Sequence, residues 1–168
     1  MTLEPLLAAP AVIQLHVAAA ILSVALGPVA IFRRSRDTLH RVAGRVWVVA
    51  MAITAGSSFW ISEDPMLGPF SVIHVLSALT LFGLGGAIRA IRARDVARHG
   101  ATMRALYAQA LMLAGAFTFL PGRRMSEAFF PGAPWLGLVI MLGLALAALW
   151  LLWREGRRNP LPFAKGLR

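Results

Sequence analysis

Apolar runs and short basic turns alternate along the chain, and the alternation predicts its elements. Ala11–Phe32 is 22 residues without a charge, roughly 33 Å of helix at 1.5 Å per residue, enough to cross a hydrocarbon core of about 30 Å. A basic turn, Arg33-Arg34-Ser35-Arg36, follows. Asp37 and Thr38 are N-cap candidates, which puts His40 in the first turn of a second span reaching Ile61. The acidic, Pro65-containing segment 62–68 reads as a turn, and a third span covers 69–88. A second basic turn, 89–98, leads through His99 into a fourth span ending at Pro121. A fifth span, 135–153, is a uniform run of Leu, Ala and Val, and the tail 154–168 is basic and irregular. Pro28 should kink the first span near its basic end.

Composition makes these spans transmembrane. Hydrophobic residues make up 58% of the 168 residues and mean hydropathy is +0.70, too apolar for an ordinary soluble domain. The net charge of +10 is distributed by topology: of 17 Lys and Arg, five lie in 33–45, five in 89–104 and five in 154–168, with only Arg123 and Arg124 elsewhere. The acids Glu4, Glu63, Asp64 and Glu127 fall on the other side of the spans. This is the positive-inside pattern of a bacterial inner-membrane protein, with the N-terminus outside and the C-terminus cytoplasmic. An anionic leaflet would attract the basic turns. No aromatic-interleaved basic face accompanies the charge, which excludes nucleic acid as a partner. The absence of cysteine excludes disulfides, thiolate metal sites and thioether-attached haem. The N-terminus has no basic region before its apolar run, so the first span is expected to be retained.

The hairpin occurs twice. Laying the second hairpin under the first matches His16 to His74, Gly27 to Gly85, Arg36 to Arg94 and Asp37 to Asp95. After a one-residue insertion it matches His40 to His99, Arg45 to Arg104 and Gly56 to Gly115. All four histidines therefore occupy matched places. The expected fold is an all-α four-helix bundle of two tandem hairpin repeats, 12–61 and 69–121, with the fifth helix peripheral, in a single transmembrane domain. Helices one and three are diagonal, as are two and four. His16 and His74 then face each other about 26 Å from the basic turns, and Gly56 and Gly115 arrive at a similar depth.

Paired imidazoles between bundle helices, with small residues beside them, are a way to hold haem b. The outer site would use His16 and His74 with Gly56 and Gly115 against the ring, and Arg123 or Arg124 for the propionates. The inner site would use His40 and His99, with space from Gly27, Gly44, Gly85 and Gly100 and propionates on Arg45 and Arg104. Two such sites, about 20 Å apart, would carry electrons between leaflets, exchanging them with quinol or a redox protein, as part of a membrane-bound oxidoreductase. Two other readings stand beside this one. In the first the protein binds a metal or small molecule without redox chemistry. In the second it is an accessory subunit with structural histidines, the glycines packing helices and the arginines snorkelling. Two imidazoles without a carboxylate are an incomplete zinc or copper set. No hydrolase, Walker or dinucleotide motif is present.

The stretches LHRVAGR (39–45) and HGATMRALYA (99–108), the His16 span with Gly27-Pro28, and an arginine after the fourth span resemble a bacterial family of small multi-pass membrane proteins named domain of unknown function 2306. The resemblance runs from Val12 to Arg124. It implies a membrane fold and a shared histidine framework, and no activity. The chain departs from the pattern at Gly100-Ala101, where bulkier basic and aromatic residues are expected before Met103-Arg104. In topology and histidine placement the arrangement is also similar to cytochrome b-type transmembrane electron carriers.

Overall fold

The turns between the apolar runs are built from ordinary capping chemistry. A computed structural model describes residues 4–33, 35–61, 71–110 and 114–158. The acidic turn 62–68, the start of the third span and the tail beyond residue 158 lie outside them. A short α1 (Glu4–Leu7) precedes α2 (Ala11–Phe32). The Asp37 carboxylate then accepts the His40 N–H at 3.1 Å and opens α3 (Thr38–Ser57), which tightens into a 3-10 turn at Ser58–Trp60. Asp37 is also held by Arg33, whose Nε donates to it at 3.0 Å. That guanidinium, and then the His40 amide, keep the carboxyl far below the ordinary range for aspartate.

The second hairpin turns differently and ends in the same cap. α4 (Val72–Arg92) closes in a Schellman motif: Asp95 N–H bonds the Ala90 carbonyl at 2.9 Å and Arg94 N–H bonds that of Ile91 at 3.0 Å. Arg94 occupies the left-handed position, φ 62°, where glycine is usual. Asp95 then accepts the Arg98 N–H at 2.9 Å and caps α5 (Val96–Gln109). The matched aspartates thus perform one task.

Packing inverts the polarity of a soluble protein. Along α4 the buried stripe is His74, Ser77, Thr80, Leu84 and Ala87, whereas Val75, Leu79 and Phe82 are exposed, the last by 75%. On α3, Ala43, Trp47, Ala50 and Met51 face inward and Val42, Val46, Val49 and Ile53 outward. An apolar exterior at helical spacing is what lipid requires. Among the described residues three helices are long and apolar enough to span a membrane: Ala11–Phe32, Thr38–Trp60 and Ile73–Arg92. α2 packs on α3, α3 on α4, α4 on α5, and α5 back on α2, with a core of Trp47, Met51, Leu84, Ala87, Met103, Leu106 and Tyr107.

The fourth run is described in two helical pieces. α5 extends to Gln109, Ala110 and Ala114 have π-helical geometry, and α6 is Gly115–Thr118, with 111–113 outside the described residues. Arg98, His99, Arg104 and Gln109 also leave α5 less apolar than the other three helices. α7 (Arg124–Phe129) packs on α1, and α8 (Pro134–Arg158) lies against α5, α6 and α7. Its stretch Pro134–Ala147 is the apolar part.

Candidate functional site

Pro28 organises the interior of the bundle. It has no N–H, so the Val24 carbonyl four residues back loses its helical donor. Tyr107 of α5 donates its hydroxyl to that carbonyl at 3.3 Å, and Trp47 of α3 donates Nε1 to the adjacent Ser23 carbonyl at 2.9 Å. Gly27 makes the approach possible, since a Cβ there would strike the Tyr107 ring. Two neighbouring helices therefore supply hydrogen bonds one turn before the proline of α2.

Beyond this staple, toward the His16 end, lies a cavity of about 460 Å³. Met51 and Tyr107 belong both to the packed core and to the cavity wall, so the core is its floor. Phe119, Met125, Phe129 and Met141 line it from the later part of the chain, and the rest of the wall is mainly Ala, Val, Leu and Ile.

The hydrogen bonds of the polar side chains that line this space run in one sense. Ser57 Oγ spends its hydrogen on the Ile53 carbonyl at 2.7 Å, so the 3.0 Å contact between Ser57 Oγ and His16 Nδ1 is a donation from the imidazole. The Thr54 carbonyl lies beside the same ring. Neutral His16 then carries its lone pair on Nε2. Gln109 donates Nε2 to Leu76 O at 3.3 Å and to Thr80 Oγ1 at 3.1 Å, which leaves its amide oxygen as an acceptor. Thr54 and Thr80 turn their hydroxyl hydrogens to the carbonyls of Ala50 and Leu76, at 2.9 and 2.8 Å. The cavity is apolar and rich in acceptors.

Of the residues expected at an outer site, His16 and Gly115 line this cavity, while His74, Gly56, Arg123 and Arg124 do not. His74 is 4% exposed and packs against Phe59 at 5.6 Å between ring centroids. Its Nδ1 accepts the Ser71 N–H at 3.0 Å, so the neutral ring carries its proton on Nε2, the opposite tautomer to His16. Gly115 meets α8: a Cβ there would sit 2.5 Å from Met141 Cε. Gly56 faces open space. Arg123 and Arg124 flank the start of α7, and each has interactions of its own.

His40 and His99 both lie at the basic end, in the first turns of α3 and α5. His99 Nδ1 donates to the Ala87 carbonyl at 3.0 Å, whereas His40 Nδ1 is buried with no hydrogen-bond partner among the described residues. Arg104 lies over Gly100, at 3.4 Å from a Cβ placed there. Arg45 faces away from the histidines, into a groove outside the α2–α3 hairpin. Gly44 has nothing within 4 Å of a Cβ, and Gly85 meets only the Arg89 side chain.

The family described as predicted membrane protein (DUF2306) matches residues 13–153. The chain belongs to this family. The match extends past Arg124 through most of α8, so the fifth helix is part of what defines DUF2306 proteins, and it also contributes Met141 to the cavity. No curated protein and no solved structure matches this DUF2306 chain. The likeness to cytochrome b-type carriers gains no support from these comparisons.

Ser57, Thr80, Tyr107 and Gln109 were not among the residues expected from sequence. Their signal was present: hydroxyl and amide side chains inside apolar runs, and a proline whose freed carbonyl must find a donor.

Proposed function

We propose that this protein binds, within the membrane, a small apolar ring compound bearing two hydroxyl groups, of the quinol class. Two tandem hairpins form the four-helix unit, residues 135–153 form a fifth span, and the basic turns face the cytoplasm. The observation that carries the reading is that His16 and Gln109, each with a hydrogen-bond acceptor left over by its printed contacts, line one apolar cavity of about 460 Å³. That volume falls within the usual range for ligand pockets, roughly 300–1,000 Å³. A ligand that fills the space must bring hydrogens to both acceptors, because an unmatched buried acceptor costs about 1–3 kcal/mol. A quinol brings two; the oxidised quinone brings none. Binding should therefore favour the reduced form.

Haem b is the second reading, and one observation favours it. An imidazole whose Nδ1–H is fixed by a neighbour and whose Nε2 faces a cavity is how a ligating histidine is held. His16 lines the cavity and its Nδ1 meets Ser57 Oγ, which supports that reading, and bound haem would supply one-electron chemistry there. His74 fits less well as the opposing ligand, since its Nδ1 already accepts a backbone N–H and it does not line the cavity.

The test is direct titration of the purified full chain with duroquinol and duroquinone, beside a reduced-minus-oxidised spectrum with pyridine extraction. Duroquinol is expected to bind more tightly than duroquinone, and His16→Phe or Gln109→Leu to weaken it by about tenfold. Equal binding of the two forms, or unchanged binding by both variants, would refute the quinol reading. A haem band that disappears in His16→Ala would transfer the site to haem.

A further inference from the structure

Independent of that cavity, a groove of about 460 Å³ runs along the outside of the α2–α3 hairpin. Ala18, Ala19 and Ala50 make its floor low, Leu22 and Ile53 stand beside it, and Arg45 lines it as well. Leu22, Val49 and Ile53 are exposed on helices long and apolar enough to span a membrane. The medium against this surface is therefore acyl chain.

Arg45 is out of place on such a face unless it has an anion. Among the described residues it makes no ion pair or hydrogen bond, and no acid lies in α2 or α3. Its Cα is seven residues past Thr38, about 10 Å into the helix. Helical side chains lean toward the N-terminus, so the guanidinium reaches back toward the basic turn, at the level of lipid phosphates. Arg41, one turn earlier on the same side, is also exposed and bonds only the Thr38 hydroxyl, at 3.3 Å. The nearest acid in sequence, Asp37, is engaged by Arg33. Two cations without a counterion thus stand at the basic end of an apolar channel.

We propose that this groove is a binding site for one anionic phospholipid, its phosphate forked by Arg45, with Arg41 adding a second positive charge on the same side, and one acyl chain lying over Ala18, Ala19 and Ala50. The guanidinium matches phosphate in a bidentate geometry that a point charge cannot reproduce. The pairing also explains how an arginine is tolerated on a lipid-facing helix surface.

The experiment is native mass spectrometry of the full chain, delipidated and then titrated with phosphatidylglycerol or with phosphatidylcholine of the same acyl chains. Wild type is expected to hold one phosphatidylglycerol in preference to phosphatidylcholine. Arg45→Gln should lower phosphatidylglycerol affinity about tenfold and phosphatidylcholine affinity much less, because choline already offsets the phosphate charge there, whereas Ala18→Leu, which raises the groove floor, should weaken both. Arg98→Gln, on the other basic turn, serves as the control and should change neither. The proposal fails if Arg45→Gln binds phosphatidylglycerol as wild type does, if Arg98→Gln loses as much, or if wild type does not distinguish the two lipids. An unchanged Ala18→Leu would overturn the groove as the seat of the chain. Retained thermal stability of each variant excludes misfolding as the cause of a loss.

Discussion

Replacing Tyr107 by Phe removes one oxygen and keeps the ring that packs against Gly27. The hydroxyl lost is the donor to Val24 O at 3.3 Å, and that carbonyl has no helical partner because residue 28 is proline. A hydrogen bond between membrane helices contributes about 0.6 kcal/mol on average and up to about 1.7. The 3.3 Å separation is longer than the common O–H···O distance of about 2.7–2.8 Å, which favours the lower part of that range. Lipid offers no water to take over, which raises it again. We expect Tyr107→Phe to destabilise the protein by about 1 kcal/mol. The cause can be isolated: Pro28→Ala restores an N–H that serves Val24 O from within α2. In that background Tyr107→Phe should cost little, giving a coupling of about 1 kcal/mol in a double-mutant cycle. Reversible unfolding in mixed micelles measures all four corners. If the two substitutions add without coupling, the Tyr107 hydroxyl is not compensating for the proline and the account of the kink is wrong.

Other consequences are checked by the same unfolding assay or by ligand titration. Gly27→Val drives a side chain into the Tyr107 ring and should cost about 1–3 kcal/mol, whereas Gly44→Ala, where a Cβ meets nothing within 4 Å, should be tolerated. Arg94→Gly relieves a left-handed φ of 62° and should stabilise the chain by about 1 kcal/mol. Ser57→Ala frees the His16 tautomer and should weaken duroquinol binding about fivefold, a smaller loss than His16→Phe. Asp37 has a depressed folded-state pKa, so its contribution is full above the ordinary aspartate value of about 3.9 and is lost as pH falls through the lower folded value. Protection of the His40 amide from hydrogen exchange should accordingly persist through mildly acidic pH; its disappearance near pH 5–6 would contradict the cap.

The large-scale design was legible because it follows from residue type and order. Uncharged runs of helical length and arginine-rich turns located the hairpins, and the matched Asp37 and Asp95 proved to be N-caps. Depth arithmetic placed His16 far from the basic turns, but it could not tell which way a ring faces. His74 lies on the buried stripe of α4, yet the Ser71 N–H holds it at the helix start, a local contact that competes with any partner across the bundle. Arg45 matches Arg104 in sequence, but one faces outward and the other lies over Gly100. Helical rotation, which depends on the packing of Trp47, Leu84 and Tyr107, decides such facing, and a repeat alignment carries no information about it. The π-helical geometry at Ala110 and Ala114 was hidden for a related reason: 110–120 contains no charge and no proline to announce it.

His16 and His74 occupy matched places in the sequence, and their rings are engaged differently: Nδ1 of one meets Ser57 Oγ, while Nδ1 of the other receives the Ser71 N–H. Like positions thus do unlike work. His16 lines the cavity; His74 does not, and instead fastens the start of a helix. The two hairpins share a turn cap and differ in chemistry. A ligand with two like ends would therefore meet a different neighbour at each end of the cavity.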